Sequence, residues 1–79
     1  MSGDMVVRVM KTDAAFETHT FPSGRKYMFR SKDLRRAERD STYSRVEAYE
    51  VRRESDGWFE VKPVTDSTLD NLLDLLLYH

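Results

Sequence analysis

The alternation of apolar and polar side chains predicts three strands before residue 31. Residues 5–10, MVVRVM, are rich in valine and form a run too short for a helix of its own. Residues 16–21 and 26–30 alternate between the two kinds of side chain, and a Pro-Ser-Gly sequence separates them. Proline fixes φ at the second position of a turn and glycine tolerates a left-handed backbone, so these two segments predict a β-hairpin.

The pattern becomes helical after this hairpin. Residues 31–41 begin with Ser31, which can cap a helix, and Asp33 lies where an acidic side chain favours a helix N-terminus. Leu34 and Ala37 are the two apolar residues that share a face. We therefore predict a short helix with a narrow apolar contact, which leaves its polar face free.

Residues 42–64 predict a second hairpin, because tyrosine, valine, tryptophan and phenylalanine dominate them and Asp-Gly is a strong turn sequence. The first arm is irregular, since Val46 and Ala48 lie on one face of a strand and the tyrosine and valine after them on the other. A bulge near Ala48 and a helix over residues 42–50 are both alternatives. Pro63 cannot donate to a sheet, so the second strand ends just before it or lies at an edge.

The segment STLDNLLDLLLYH predicts a C-terminal helix. Ser67 and Asp70 have the spacing of a capping box, in which each side chain accepts a hydrogen bond from the main chain near the other residue. The element order is then β-β-β-α-β-β-α. We predict a single α+β domain, residues 1–79, with a small antiparallel sheet and the amphipathic C-terminal helix packed on one of its faces.

The leucines of this segment cover more of the helix surface than one sheet can. At about 100° per residue they span an arc of roughly 200°, whereas docking on a sheet needs a stripe of about 100° or a little more. Leu75 and Leu77 lie on opposite shoulders of the arc, and we expect a partner protein or a second copy to bury one of them. The alternative is that loops or the helix of residues 31–41 cover it. The inward row consists of Leu69, Leu72, Leu73 and Leu76.

Length and composition limit the means of stabilising this domain. A chain of 79 residues buries only about 60% of its unfolded surface. It contains no cysteine, so neither a disulfide nor a thiolate metal site adds to the core. No segment approaches the roughly 18 apolar residues that span a bilayer, and Asp4 lies where a secretion signal needs a basic residue. We expect a cytoplasmic protein that does not associate with membranes.

The net charge of −1 hides an uneven distribution. Residues 1–24 carry two basic and three acidic side chains, residues 25–53 carry ten and five, and residues 54–79 carry one and six. The net charges of the three segments are therefore −1, +5 and −5. A basic middle beside an acidic end steers partners, or else the two neutralise each other in the folded domain.

The sequence contains no group of residues typical of a metal site or a catalytic centre. The two histidines, His19 and His79, cannot supply the about three or four convergent ligands that zinc needs. Glu17 and His19 are spaced too commonly to indicate a catalytic pair, and acids four residues apart, such as Asp70 and Asp74, usually only solubilise a helix. We therefore predict a non-enzymatic protein with neither cofactor nor metal.

The arginines and aromatic residues of the middle segment are typical of protein-binding hot spots. We predict a small protein-binding module, an inhibitor, adaptor or assembly factor that acts sterically or allosterically on a larger protein with an acidic or apolar surface. Such compact domains are common among virus-encoded regulators of host enzymes, although no residue indicates a viral origin. A second copy of the chain is another candidate partner. The candidate partner-binding residues are Arg35, Arg36, Arg39, Tyr43, Arg52, Arg53, Trp58, Leu75 and Leu77.

Nucleic-acid binding is the alternative function. Arginine supplies cations for phosphates, and aromatic rings on an antiparallel sheet supply faces on which bases stack. A calculated pI of about 6.1 and the acidic residues among the arginines count against it. The candidate residues for this alternative are Arg25, Lys26, Tyr27, Phe29 and Arg30.

Overall fold

The computed structural model describes residues 6–43 and 45–78. Met5, which the sequence places in the first strand, and His79 lie outside these residues. The order of strands and helices confirms the predicted small α+β fold, β-β-β-α-β-β-α. The elements are β1 (Val7–Met10), β2 (Phe16–Thr20), β3 (Lys26–Arg30), α1 (Ser31–Asp40), β4 (Ala48–Ser55), β5 (Trp58–Pro63) and α2 (Asp66–Tyr78).

The five strands form one antiparallel sheet in the order β1-β5-β4-β3-β2. The β2–β3 and β4–β5 hairpins turn at Gly24 and Gly57, whose φ values of 89° and 84° are left-handed and cost glycine no steric clash. β1 pairs with β5 rather than with its neighbour in sequence. β1 and β2 are therefore the two edges of the sheet.

The two helices pack on the same face of the sheet, and the apolar core lies between them and the strands. Phe29 at the centre of β3 and Leu73 of α2 are both 0% exposed. The C-terminal helix thus packs on one face of the sheet, as predicted. The buried residues of this core are Phe21, Tyr27, Phe29, Leu34, Ala37, Val46, Ala48, Leu69, Leu72 and Leu73.

α1 differs from the prediction at its N-terminus. The helix follows β3 directly, so Ser31 is its first residue and does not cap it, and Arg30 at the N-cap position makes no side-chain capping bond. Asp33 is buried, and its Oδ2 accepts a hydrogen bond of 2.9 Å from the main-chain N–H of Glu47. Its other oxygen accepts a bond of 3.4 Å from the guanidinium of Arg36. The carboxylate therefore ties α1 to the segment before β4.

The connection between α1 and β4 is irregular. The described residues from 42 to 47 are in neither helix nor strand, so a helix over residues 42–50 is wrong. Arg45 has a left-handed φ of 64°, which an α-helix does not contain. Its main-chain carbonyl accepts a hydrogen bond of 2.9 Å from Arg36, which attaches the connection to α1.

The irregularity in the pairing of β4 lies nearer the C-terminal end of the strand than expected. The shift of register lies between Val51 and Arg53, so the bulge near Ala48 is wrong. That expectation counted Val46 as a strand residue, whereas Val46 lies in the connection and enters the core from there. Pro63 is the last residue of β5, where the strand no longer needs an N–H donor.

α2 begins at Asp66, one residue earlier than predicted. The carbonyl of Thr65 accepts a hydrogen bond of 2.9 Å from the N–H of Leu69, so Ser67 lies inside the helix and the predicted capping box is wrong. The inward leucine row is buried except for Leu76, which is half-buried.

The two shoulder leucines of α2 have different surroundings. Leu77 packs against the core and lines a hollow with Leu34 and Arg35 of α1, so α1 covers this shoulder. Leu75 is 50% exposed. Leu75 is therefore the shoulder leucine that the described part of the chain leaves uncovered.

We predict that Asp33→Ala lowers the free energy of unfolding by about 1–3 kcal/mol, because the buried N–H of Glu47 loses its acceptor. Urea unfolding at neutral pH measures the change. Asp40→Ala is the matched control, since this α1 carboxylate is exposed and pairs with the exposed Arg39. Equal unfolding midpoints for the two variants would contradict the structural role of Asp33.

Candidate protein-binding surface

The face of the sheet opposite the helices carries a second apolar cluster. Val61 is 0% exposed and Met28 1% exposed, although no described helix lies on this face. Other side chains of the chain must therefore cover them. The buried members are Met28, Phe59 and Val61, and the half-buried ones are Val9, Phe16, Tyr49 and Val51.

An arginine covers this cluster at the end that contains β2. The guanidinium carbon of Arg30 lies 5.0 Å from the ring centroid of Phe16, a cation–π contact. Glu47 holds the guanidinium, with its Oε1 2.9 Å from Nε and 2.8 Å from Nη2. Tyr49 donates its hydroxyl proton to Oε2 of the same carboxylate at 2.5 Å, and its ring meets Phe16 edge-on at 5.9 Å.

A lysine covers the cluster at the end that contains β1. The ammonium of Lys11 lies 5.2 Å from the ring centroid of Phe59 and 3.2 Å from Glu54. Lys26 reaches the same carboxylate at 2.7 Å. The hydrogen bonds from Lys26 and then Lys11 lower the pKa of Glu54. The chain's own charged side chains thus screen this face, so it is not the surface on which a partner has most to gain.

The exposed face of α1 carries four cations, which we call the basic stripe. They recur at i, i+3, i+4 and i+7, so they fall within an arc of about 100° of the helix surface. Together they line one shallow hollow. The four residues are Lys32, Arg35, Arg36 and Arg39.

Two members of the basic stripe already have partners within the domain. Arg36 bonds to Asp33 and to the Arg45 carbonyl, and Arg39 Nε donates to Asp40 at 3.0 Å. Among the described residues, no carboxylate lies at ion-pairing distance from Lys32 or Arg35. These two charges are therefore available to a partner.

A groove runs along the edge strand β2 beneath the end of α2, and we call it the edge groove. Its first hollow, about 230 Å³, has Leu75 and Leu76 on one side and Thr20 to Pro22 on the other. Its second hollow, about 260 Å³, continues between α2 and α1 as far as Arg35. Because His19 and Leu76 line both hollows, the groove joins an apolar end to the basic stripe.

Glu17 and His19 face this groove from β2 and form an ion pair of 2.8 Å when the imidazole is protonated. The hydrogen bond from His19 is the largest cause of the lowered pKa of Glu17, followed by the hydrogen bond from Ser31. The charge of Arg35 lowers it further by a smaller amount. Glu17 is therefore anionic at neutral pH and balances part of the positive potential of α1.

The candidate residues from the sequence separate into distinct places. Tyr43 is bound to α2, since its hydroxyl donates to Asp74 at 2.5 Å and its ring lies 6.1 Å from that of Tyr78. Burial and the Asp74 carboxylate raise the pKa of Tyr43 to about 12.

Arg52 and Arg53 on β4 line hollows that contain no residue of α1, and Trp58 lies on β5. The ring of Trp58 is covered by Arg8, whose guanidinium carbon is 4.7 Å from the ring centroid. Arg52 lies 3.9 Å from Glu50, and Arg53 faces Glu60 across the strands. The structure therefore does not join these residues to the basic stripe.

The residues proposed for nucleic-acid binding do not form an exposed stacking surface. Tyr27 and Phe29 are 6% and 0% exposed beneath the helices. The three cations each approach a carboxylate, Lys26 with Glu54, Arg30 with Glu47, and Arg25 with Glu50 at 3.9 Å.

Sequence reasoning missed Lys32 as part of the stripe, although its spacing from the arginines indicates the shared face. It also missed that β2 is an edge strand, because only strand order shows which strand lies at an edge.

The described residues contain no cluster of potential metal ligands. None of the described helices is long and apolar enough to cross a membrane. Comparison of the chain with protein families, curated proteins and solved structures finds no match.

We predict that Glu47→Gln lowers the pKa of Tyr49. The hydrogen bond to the Glu47 carboxylate, with burial, raises this pKa from 10.0 to about 12, and an amide lacks the charge. The folded protein holds the phenolic proton more tightly than the unfolded chain does. The stability gained from this bond is therefore complete below pH 10 and is lost as the pH rises towards 12.

The ultraviolet absorbance of tyrosinate, followed through an alkaline titration, tests this prediction. In Glu47→Gln one tyrosine should ionise at a lower pH than in the wild type. Asp74→Asn should lower the pKa of Tyr43 in the same way. Superimposable titration curves for wild type and Glu47→Gln would contradict the assigned bond.

Proposed function

We propose that this chain is a non-enzymatic protein-binding module that uses the basic stripe to bind an acidic surface of a larger protein. The observation that carries this proposal is the division of α1 into two opposite faces. With Lys32 at 0°, the buried residues lie between about 100° and 200° and the stripe lies between about 300° and 40°. The buried residues are Asp33, Leu34 and Ala37.

Two of the four charges of the stripe have no ion-pair partner within the described residues. Lys32 and Arg35 make no ion pair within the described residues, whereas Arg30, Lys11 and Lys26 all cover or close the opposite face of the sheet. Arginine binds carboxylates with a planar, forked set of donors, which makes it effective at protein interfaces. An acidic partner would therefore gain contacts without disrupting the domain.

The edge groove supports a protein partner in particular. Arg35 lines the hollow that also contains Leu76 and Leu77, and Glu17 and Glu38 line it too, so a cation, two carboxylates and apolar side chains face the same space. A partner with one carboxylate opposite Arg35 and one apolar side chain against the leucines would use both at once, which is the combination found at interaction hot spots. Binding there would block or reorient the larger protein, as an inhibitor, adaptor or assembly factor does.

Nucleic-acid binding has less support. Stacking of bases needs exposed rings, and Tyr27 and Phe29 are buried in the core. The cations of β3 already lie beside carboxylates. The basic stripe alone would attract phosphates, so an oligonucleotide arm belongs in the test.

We predict that the double variant Lys32→Glu, Arg35→Glu loses a partner that the wild type retains in affinity capture from the native cell lysate. Mass spectrometry identifies the retained protein, and titration with that purified protein should show at least tenfold weaker binding by the variant, about 1.4 kcal/mol. Arg52→Glu, Arg53→Glu is the matched control, because it reverses the same number of charges at a separate place in the sheet.

Equal binding by both double variants would contradict the proposed surface. Circular dichroism should show that each variant is folded, since neither Lys32 nor Arg35 makes an ion pair in the described structure. Fluorescence anisotropy with single-stranded and duplex oligonucleotides at about 50 mM salt should show no binding. Binding that falls steeply with added salt and is lost in Lys32→Glu, Arg35→Glu would favour the nucleic-acid alternative.

A further inference from the structure

The edge strand β2 presents main-chain groups that its neighbour does not use. The N–H of Phe21 donates to the Arg25 carbonyl at 2.9 Å, and the N–H of Ser31 donates to the Ala15 carbonyl at 3.0 Å. These bonds place the odd-numbered residues of β2 in hydrogen-bonded pairs with β3. The N–H and carbonyl groups of Thr18 and Thr20 consequently point outwards from the sheet.

β2 also lacks several of the features with which edge strands avoid pairing, although Glu17 points towards the helices. Such strands are commonly very short or carry lysine, proline or a bulge. β2 has five residues, FETHT, with no lysine, proline or bulge, and its charged residue, Glu17, is hydrogen-bonded to His19 of the same strand. The other edge, β1, is four residues long and has Arg8 within it.

We propose that two copies of this chain associate through β2, antiparallel and edge to edge, so that their sheets form one continuous sheet. The register is centred on Thr18, which lies opposite Thr18 of the second copy. Phe16 then lies opposite Thr20, and the outward main-chain groups of the two strands meet. Threonine pairs of this kind are favourable across strands.

The charges of β2 select this register. With Thr18 opposite Thr18, each Glu17 lies opposite a His19 of the second copy. A shift of two residues in one direction would place Glu17 opposite Glu17, and a shift in the other would place His19 opposite His19. A carboxylate opposite an imidazole N–H gains a hydrogen bond, two carboxylates opposite each other repel, and two histidines lack the carboxylate acceptor, so the centred register is the complementary one.

The same register explains the exposure of Leu75. Leu75 lies over the edge groove beside Phe21 and Pro22, at the end of β2. Continuing the register brings Ala14 and Ala15 of the second copy opposite these residues, and both alanines are exposed in the single chain. Small apolar side chains there would close the hollow and leave room for the leucine.

Sedimentation velocity of the full chain over a range of concentrations tests this proposal. We expect a monomer–dimer equilibrium with a dissociation constant between about 10 and 500 µM, as a small interface gives. Thr18→Pro should weaken it at least about tenfold. Proline removes an N–H that faces outwards, so the bonds between β2 and β3 are retained.

Arg8→Pro is the matched control for this substitution. The N–H of Lys11 donates to the Gly57 carbonyl at 3.0 Å, so the N–H of Arg8 faces outwards from β1. Its removal at the opposite edge should leave the dissociation constant unchanged. A wild type that is monomeric at about 1 mM, or a Thr18→Pro variant that dimerises equally well, would overturn the proposal.

A charge exchange tests the register itself. Glu17→Lys should weaken association, because a lysine then lies opposite His19 of the second copy. The double variant Glu17→His, His19→Glu should restore it, since opposite charges again face each other; failure to restore it would overturn the register. Thr18 is not in the basic stripe and lines neither hollow of the edge groove, so a folded, monomeric Thr18→Pro should still bind the partner, which distinguishes failure of dimerisation from failure of the proposed function.

Discussion

The whole structure depends on a shortage of helices. Apolar side chains lie on both faces of the sheet, but the described helices cover only one face. α1 and α2 bury the face that contains Phe29. On the other face, Lys11 and Arg30 place their charged groups over the rings of Phe59 and Phe16, while Glu54 and Glu47 pair with those charges. A chain of this size thus uses ionic side chains as part of its apolar packing.

This use of charge also determines which surfaces are available. The basic excess of residues 25–53 suggests a broad cationic face, but most of these side chains pair with carboxylates or bond to the main chain. Within the described residues this leaves Lys32 and Arg35 together on α1, and Arg45 and Arg53 as separate charges elsewhere. In the same way, burial of the leucine row leaves Leu75 as the exposed leucine of α2. Both remaining features adjoin the edge groove.

Local patterns predicted the element order well, because alternation, Asp-Gly and leucine spacing act within a few residues. They failed where contacts between residues far apart in the sequence determine the structure. Asp33 has the local position of a residue that stabilises a helix N-terminus, yet its carboxylate accepts a hydrogen bond from the distant main-chain N–H of Glu47. Tyr27 and Phe29 alternate as strand residues do, but which face of β3 the helices cover depends on the path of the whole chain. The spacing of the stripe was visible in the sequence, whereas the edge position of β2 follows from strand order alone.

The pairing of β1 with β5 has a consequence for the order of folding. Val7 pairs with Val61, so this contact closes the longest loop in the sheet, whereas β2 to β5 are joined by hairpins and by α1. Long loops close at a higher entropic cost, and β1 is short and largely exposed. We therefore expect β1 to join last and open first, and its departure would turn β5 into a new edge.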